Sequence, residues 1–188
     1  ISQNIVIHLA AQTSVPKSID SFKESSSSNI EGTLCVFEYC RKYNIPIVYA
    51  SSSAIYGNLP FGDDEESEID LISPYAADKY TMEMYAKLCF ELYGVSSVGL
   101  RFFNVYGPRQ DSSNPYSGVI SIFIERALHS NILNVNGGKQ TRDFVFVSDV
   151  VDCIVKSIYI VLENKICYSV NVLTGNSISI DDLCDKII

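Results

Sequence analysis

What most restricts the fold of this chain is a repeated alternation of short β-branched runs with longer helical stretches. The candidate strands are Ile5 to Leu9, Pro46 to Ala50, Ser97 to Phe103 and Tyr168 to Val172. Between and after them, Asn29 to Tyr43, Pro74 to Tyr93, Ile120 to Ser130, Val147 to Glu163 and a last stretch from Ile180 have helical character. In the first of these, Leu34, Phe37, Glu38 and Arg41 give a mixed amphipathic spacing. Short β-branched strand runs with helices between them predict an α/β fold: a parallel sheet covered by helices on both faces. A hydrophobic content of 47% over 188 residues is enough core for one domain or part of one, and no internal repeat is present.

Charge and cysteine usage narrow the function classes. A net charge of -8 and a pI near 4.7 argue against a nucleic-acid partner, which would need clustered Lys and Arg. An anionic nucleotide remains compatible if a few cations are placed locally. The six cysteines form no CxxC pair, and His8 and His129 are the only histidines, so the thiols read as reduced and mostly buried, with no metal site. No apolar run approaches the ~20 residues that span a bilayer, and no leader opens the chain, so the expected compartment is the cytoplasm. Because Ile1 leads almost directly into a strand and Ile188 ends inside a helical stretch, the sequence reads as a fragment. The run Ser25 to Ser28 reads as a solvated helix start or loop, and the acidic Asp63, Asp64, Glu65, Glu66 and Glu68 as an exposed loop rather than a metal site.

The chemistry-bearing residues follow the second strand. Ser51, Ser52 and Ser53 put hydroxyls at its carboxyl end, where open α/β sheets bind ligands. In the segment SPYAADKY, Tyr75 and Lys79 are four residues apart, so a helix sets the ammonium beside the phenol. A nearby cation favours the phenolate, which predicts a tyrosine lowered toward use as a base. Serine runs end many strands and a YxxxK spacing arises by chance in helices. Together and in this order they describe a site for moving a proton and a hydride at a sugar carbon.

The segments VIHLAAQTSVPKSI, NIEGT, IVYASSSAIYG, SPYAADKY, LRFFNVYGPRQ, NPYSGVISIF and TRDFVFVSDVV cover almost the whole chain. In that order and spacing the chain resembles the extended short-chain dehydrogenase/reductases acting on nucleotide sugars, with the NAD-dependent epimerase/dehydratase group closest. The resemblance implies a Rossmann-like, doubly wound parallel sheet, present in part, with part of a smaller substrate-binding domain. Residues 1–104 would be the C-terminal part of the NAD-binding domain. Residues 105–188 would be mixed, with substrate-binding segments near 105–142 and a returning helix and strand near 143–173. It also implies roles residue by residue. Ser52 matches the active-site hydroxyl, Tyr75 the acid/base, and Lys79 its partner, which also contacts the nicotinamide ribose. Leu9, Ala10, Ala11 and Gln12 match the strand-end segment lying along NAD, with Asn29 near it, and Phe103 matches a nicotinamide-side residue. Asn104 matches a substrate contact, Val119 a backbone contact to the nucleotide diphosphate, and Arg142 the arginine paired with that diphosphate. A helix start at Ile120 and a guanidinium in a loop before the next strand would suit a diphosphate. The bland readings are a salt bridge of Arg142 with Asp143 and a turn-forming role for Asn104.

Within that family, 4,6-dehydration needs an extra acid and base directly after the Ser/Thr, and decarboxylating members resemble a pattern with Glu one position further. This chain has Ser53 and Ala54 there, and alanine neither gives nor takes a proton. The remaining chemistry is 4-epimerisation of a UDP-hexose with tightly held NAD, in a homodimer built through a four-helix contact. On the helix carrying Tyr75, the apolar Met82, Tyr85, Ala86, Cys89 and Phe90 suit either that contact or the core. Competing readings are a dehydratase, decarboxylase or reductase of the same family, or a non-catalytic homologue. Three departures stand out. The glycine fingerprint of a dinucleotide cradle is absent from these residues, so the 188 residues alone are expected to bind NAD weakly. Asp78 replaces a residue that is usually small, leaving open whether its carboxylate perturbs Lys79 or faces solvent. The stretch Asn136 to Gln140 is one residue short of the usual loop.

Overall fold

The computed structural model describes residues 4–59, 68–114, 118–129, 133, 135 and 137–188. The expected acidic loop at Asp63 to Glu66 therefore lies outside the described residues, as do Ser130 and Asn136. The chain divides into two units, one reaching Phe102 and taking in Asp152–Asn171, the other made of Phe103–Val151 and Val172–Ile188.

The first unit is the expected parallel sheet. Its strands are β1 (Val6–His8), β2 (Ile47–Ser52), β3 (Ser97–Phe102) and β6 (Cys167–Val172), in the order β1-β2-β3-β6. Parallel registers pair Val6 with Ile47 and Ile47 with Ser97. Every residue of β2 is buried, which is why its sequence shows no alternation. The helices are α1 (Val15–Asp20), α2 (Phe22–Ser26), α3 (Gly32–Tyr43) and α4 (Pro74–Tyr93), with a π-turn at Ser27–Glu31 between α2 and α3. Ser14 caps α1 and Ser73 caps α4 through their hydroxyls, and a proline in the first turn of each helix gives up an N–H that has no helical acceptor. At the other ends, Asn44 and Gly94 close α3 and α4 in the left-handed region. Phe37 and Cys40 of α3 and Met82, Ala86 and Cys89 of α4 pack with Ile47, Tyr49 and Val95 in a core where Phe37 meets Tyr49 edge-on, centroids 5.8 Å apart. Tyr49 is fully buried beneath Gly99, where a Cβ would lie 2.6 Å from its hydroxyl, so β3 needs glycine there.

The second unit holds β4 (Asn104–Tyr106), β5 (Thr141–Phe146) and β7 (Ser177–Ser179), with α5 (Val119–His129) and α7 (Ile180–Ile187). β5 pairs parallel to β4 and antiparallel to β7. Phe123, Ile180, Leu183 and Cys184 form its core, flanked by Val119, Phe144 and Ile178. Helix α6 (Val147–Glu163) runs from one unit into the other. The later part of α6 and most of β6, Asp152–Asn171, group with the first unit. Of the six free cysteines, Cys40, Cys89 and Cys184 are buried, Cys153 and Cys167 half-buried and Cys35 exposed. No helix among the described residues is long and apolar enough to cross a membrane.

Candidate active site

Ser52, Tyr75 and Lys79 are all buried and all belong to the first unit. Ser52 ends β2 and caps the 3-10 turn Ser53–Tyr56, its Oγ accepting the Ala54 N–H at 3.1 Å. After that turn, Gly57 takes φ +52° with Asp70 so close that a Cβ would overlap its carbonyl oxygen. Tyr75 is in the first turn of α4, where its N–H donates to Ser18 Oγ at 3.2 Å and its hydroxyl is hydrogen-bonded to Ser52. Lys79 donates from Nζ to Ala50 O at 2.8 Å, and the same ammonium lies 5.8 Å from the centroid of the Tyr75 ring.

The electrostatics correct one expectation. Burial raises the Tyr75 phenol above its ordinary range; the Ser52 bond opposes this and the Asp78 charge adds to it. The net direction is therefore upward although the Lys79 ammonium lies beside the ring. Burial lowers Lys79 itself to about 8, with Asp78 acting the other way. Burial, and then the Lys79 charge, lower His8 too. Its Nε2 lies 3.0 Å from Thr33 Oγ1.

The lowered Lys79 makes a stability prediction. In the unfolded chain a lysine titrates near ~10.4. Below the folded value of about 8 both states hold the proton, and the fold carries the full cost of burying it. Between the two values the unfolded state holds more protons, so stability rises with pH. Lys79→Met removes the charge but also the bond to Ala50. It is expected to stabilise the protein by about 1–2 kcal/mol near pH ~7, with the gain passing through zero near pH ~9 and becoming a loss of similar size by pH ~10.5, where only the missing bond to Ala50 remains. Urea melts across that range would contradict the assignment if the gain were independent of pH.

Of the residues matched to the cofactor, Leu9 and Ala10 are exposed at the end of β1 and Ala11 and Gln12 are half-buried. Asn29 is buried in the π-turn, bonded to Gln12 in both directions: Gln12 N donates to its Oδ1 at 2.8 Å, and its Nδ2 donates to Gln12 O at 3.1 Å. The serine run is solvated only in its second half, Ser27 and Ser28. Ser25 is buried and accepts from Gln12 Nε2 at 2.8 Å, while Ser26 donates to Asp78.

Phe103, Asn104, Val119 and Arg142 belong to the second unit. Phe103 N donates to Val172 O, and Asn104 Nδ2 donates to Asp143 O at 3.1 Å. The helix begins at Val119, one residue before Ile120. Arg142 lies in β5 opposite Ile178 rather than in a loop, because β7 pairs with that stretch. Its exposed guanidinium donates to Thr141 O, and Asp143 is committed to Thr174 and Asn176. In the shortened stretch, Gly137 and Gly138 both take positive φ.

Sequence reasoning missed a buried polar network behind the serines. Glu83 and Arg101 pair in a bidentate bridge at 3.0 and 2.8 Å. Ser51 Oγ donates to Glu83, Arg101 Nη1 donates to Tyr56 Oη at 2.8 Å, and Tyr56 Oη donates to Asn171 Oδ1 at 2.7 Å. An arginine inside an otherwise apolar strand, with a glutamate four residues after Lys79, was the available signal.

The family model for the NAD dependent epimerase/dehydratase family matches residues 2–165. A Methanocaldococcus jannaschii protein provisionally named UDP-glucose 4-epimerase is 42% identical over 97% of this chain and 59% of its own length. A UDP-N-acetylglucosamine 4-epimerase from Methanobrevibacter ruminantium, solved with UDP-N-acetylmuramic acid, superposes with a TM-score of 0.88 at 37% identity over 97% of this chain and 58% of that one. A Bacillus cytotoxicus UDP-N-acetyl-alpha-D-glucosaminuronate decarboxylase is 36% identical over 79% of this chain and 48% of its own length, so relatives include more than one chemistry. The chain spans between about half and three-fifths of the length of these proteins. With a Rossmann-type parallel sheet and a family match over most of its residues, the chain belongs to the NAD dependent epimerase/dehydratase family.

Proposed function

We propose that the full-length protein is an NAD-dependent 4-epimerase of a UDP-hexose, glucose/galactose or their N-acetylated forms, acting in the cytoplasm. The observation that carries this reading is the buried convergence of Ser52, Tyr75 and Lys79 beside Ala54, whose backbone N–H serves Ser52 and whose methyl offers no proton for elimination. The residues fit the cofactor. At the carboxyl ends of β1 and β2 lie the exposed Leu9 and Ala10, the Tyr75 phenol, and an ammonium that gives one of its three N–H groups to Ala50, a donor set suited to a ribose diol.

NAD, when bound, would take the C4 hydride and return it to the opposite face. Tyr75 must start as the phenolate, a form that burial opposes and that the positive charges of Lys79 and of bound oxidised nicotinamide would favour; it takes the C4 hydroxyl proton as that hydride leaves and gives it back to the 4-keto sugar, so no net redox change occurs. Ser52 holds the phenol and the sugar hydroxyl in line. Lys79 orients the ribose, and because its charge fades above about 8, kcat/KM has its alkaline limb there. Arg142 and the start of α5 at Val119 take the diphosphate, and Asn104 and Phe103 contact the sugar and nicotinamide.

Proton NMR of the full-length protein with UDP-glucose or UDP-N-acetylglucosamine and no added cofactor is expected to show an equilibrium mixture of C4 epimers. Accumulation of a dehydrated sugar, or carbon dioxide released from a UDP-uronate, would move the protein to another branch of the family. The absence of all these reactions would favour a non-catalytic homologue.

The same reading includes a homodimer. Met82, Ala86 and Cys89 are spent on the core, whereas Tyr85, Leu88 and Leu92 of α4 stand exposed and line, with the half-buried Leu34 of α3, a groove between the two helices. Two such helices from each subunit would bury these faces as a four-helix contact. The double substitution Leu88→Glu and Leu92→Glu is expected to convert a dimer into a monomer by light scattering; an unchanged mass would remove α4 from the interface.

A further inference from the structure

Asp78 is a carboxylate only 2% exposed, next in sequence to Lys79. A charge buried that deeply needs donors, and it has two from one segment. Ser26 Oγ donates to Oδ1 at 2.7 Å and Asn29 Nδ2 donates to Oδ2 at 3.1 Å. The π-turn after α2 brings both donors to the same carboxylate, a use of irregular helix common at functional sites. An ionised carboxylate only accepts, so Asn29 must turn its Nδ2 toward Asp78. That leaves Asn29 Oδ1 to receive the Gln12 N–H, while Nδ2 also serves Gln12 O. Asp78 therefore sets the orientation of Asn29, which clamps the Gln12 backbone at the end of the segment Leu9 to Gln12.

We propose that Asp78 is a positioning residue that locks the Leu9 to Gln12 strand end to the helix bearing Tyr75 and Lys79, so that the NAD-binding segment and the acid/base pair are held as one body. This rests on the epimerase reading above. It also answers what an acidic residue does at a position usually small in the family. The carboxylate acts on its neighbours by charge as well as by bonding. Around Lys79, α4 supplies Asp78, Tyr75 and Glu83, of which Glu83 is committed to Arg101. β1 supplies the neutral His8, and β2 the Ala50 carbonyl. Asp78 is thus the carboxylate that supports the ammonium against burial.

Two variants of the full-length protein separate geometry from charge. Asp78→Ala removes both, and is expected to weaken NAD binding to the cofactor-free protein about tenfold by calorimetry, as two buried bonds to a charged group are lost. Asp78→Asn keeps an acceptor for Asn29 and can donate to Ser26, so NAD binding stays within about threefold of wild type. With the charge gone, the alkaline limb of kcat/KM moves down by about one pH unit. The proposal is overturned if Asp78→Ala binds NAD as wild type does, or if the Asp78→Asn profile superimposes on that of wild type. Where Asp78→Ala does not fold, Asp78→Asn decides alone. A wild type that binds NAD but epimerises no UDP-sugar overturns the activity reading, while the NAD comparison still decides the role of Asp78. A wild type that binds no NAD overturns both.

Discussion

Tyr75→Phe in the full-length protein is expected to lower kcat for UDP-sugar epimerisation by about 10²–10⁴-fold while KM stays within a few-fold. The substitution removes one hydroxyl and leaves the ring in its buried position. Ser52 Oγ keeps the Ala54 N–H, and the Tyr75 backbone keeps its bond to Ser18, so the turn and the start of α4 retain their anchors. The loss of stability should be only that of one hydrogen bond, about 0.5–1.5 kcal/mol. What disappears is the group that exchanges a proton with the sugar oxygen, an interaction made in the transition state. A kcat effect without a KM effect is the signature of such a loss. Retained turnover in Tyr75→Phe, or a drop shared equally by kcat and nucleotide affinity, would remove Tyr75 from the acid/base role.

The parallel sheet was readable because β2 and β3 are buried on both faces and so carry β-branched, apolar and small residues without a regular polar alternation, and because Ser73-Pro74 and Gly94 mark the ends of α4. The short α1 and α2, the π-turn and the three-residue β4 and β7 were not foreseen. Elements of that length are set by tertiary bonds, such as Ser18 to Tyr75 and Ser26 to Asp78, and leave little period in the sequence. Polar residues misled for the same reason. The serine run looked solvated because serine usually is, yet Ser25 is itself buried and bonded to Gln12, and Ser26 finds the buried Asp78 far along the chain. At the site, the pairing of Tyr75 with Lys79 was legible from helical spacing, but the direction of the phenol shift was not. Spacing gives proximity, whereas the shift depends first on burial, and then on the Ser52 bond and the Asp78 charge.

Arg101→Met is expected to cost about 3–5 kcal/mol of folding stability, a large part of the ~5–15 kcal/mol typical of a folded protein. Its guanidinium and the Glu83 carboxylate expose only 10% and 8% of their side-chain surface. Burial works against the Arg101 charge, but the hydrogen bonds and charge of Glu83, with help from Tyr56, outweigh it and raise Arg101 above its ordinary value. Removing the arginine therefore strands a carboxylate in the interior, with Ser51 alone among the described residues left to donate to it. The cost lies mainly in that stranded charge, which gives a second expectation: Glu83→Met combined with Arg101→Met should be less destabilising than Arg101→Met alone. Urea denaturation of wild type, both single variants and the double variant closes the cycle. Additive losses would mean that the two groups do not act as a pair. Because Ser51 donates to Glu83 and precedes Ser52, the double variant also tests whether this network aligns the active-site hydroxyl. Stability recovered without activity would identify its function as alignment of β2, and recovery of both would confine it to folding.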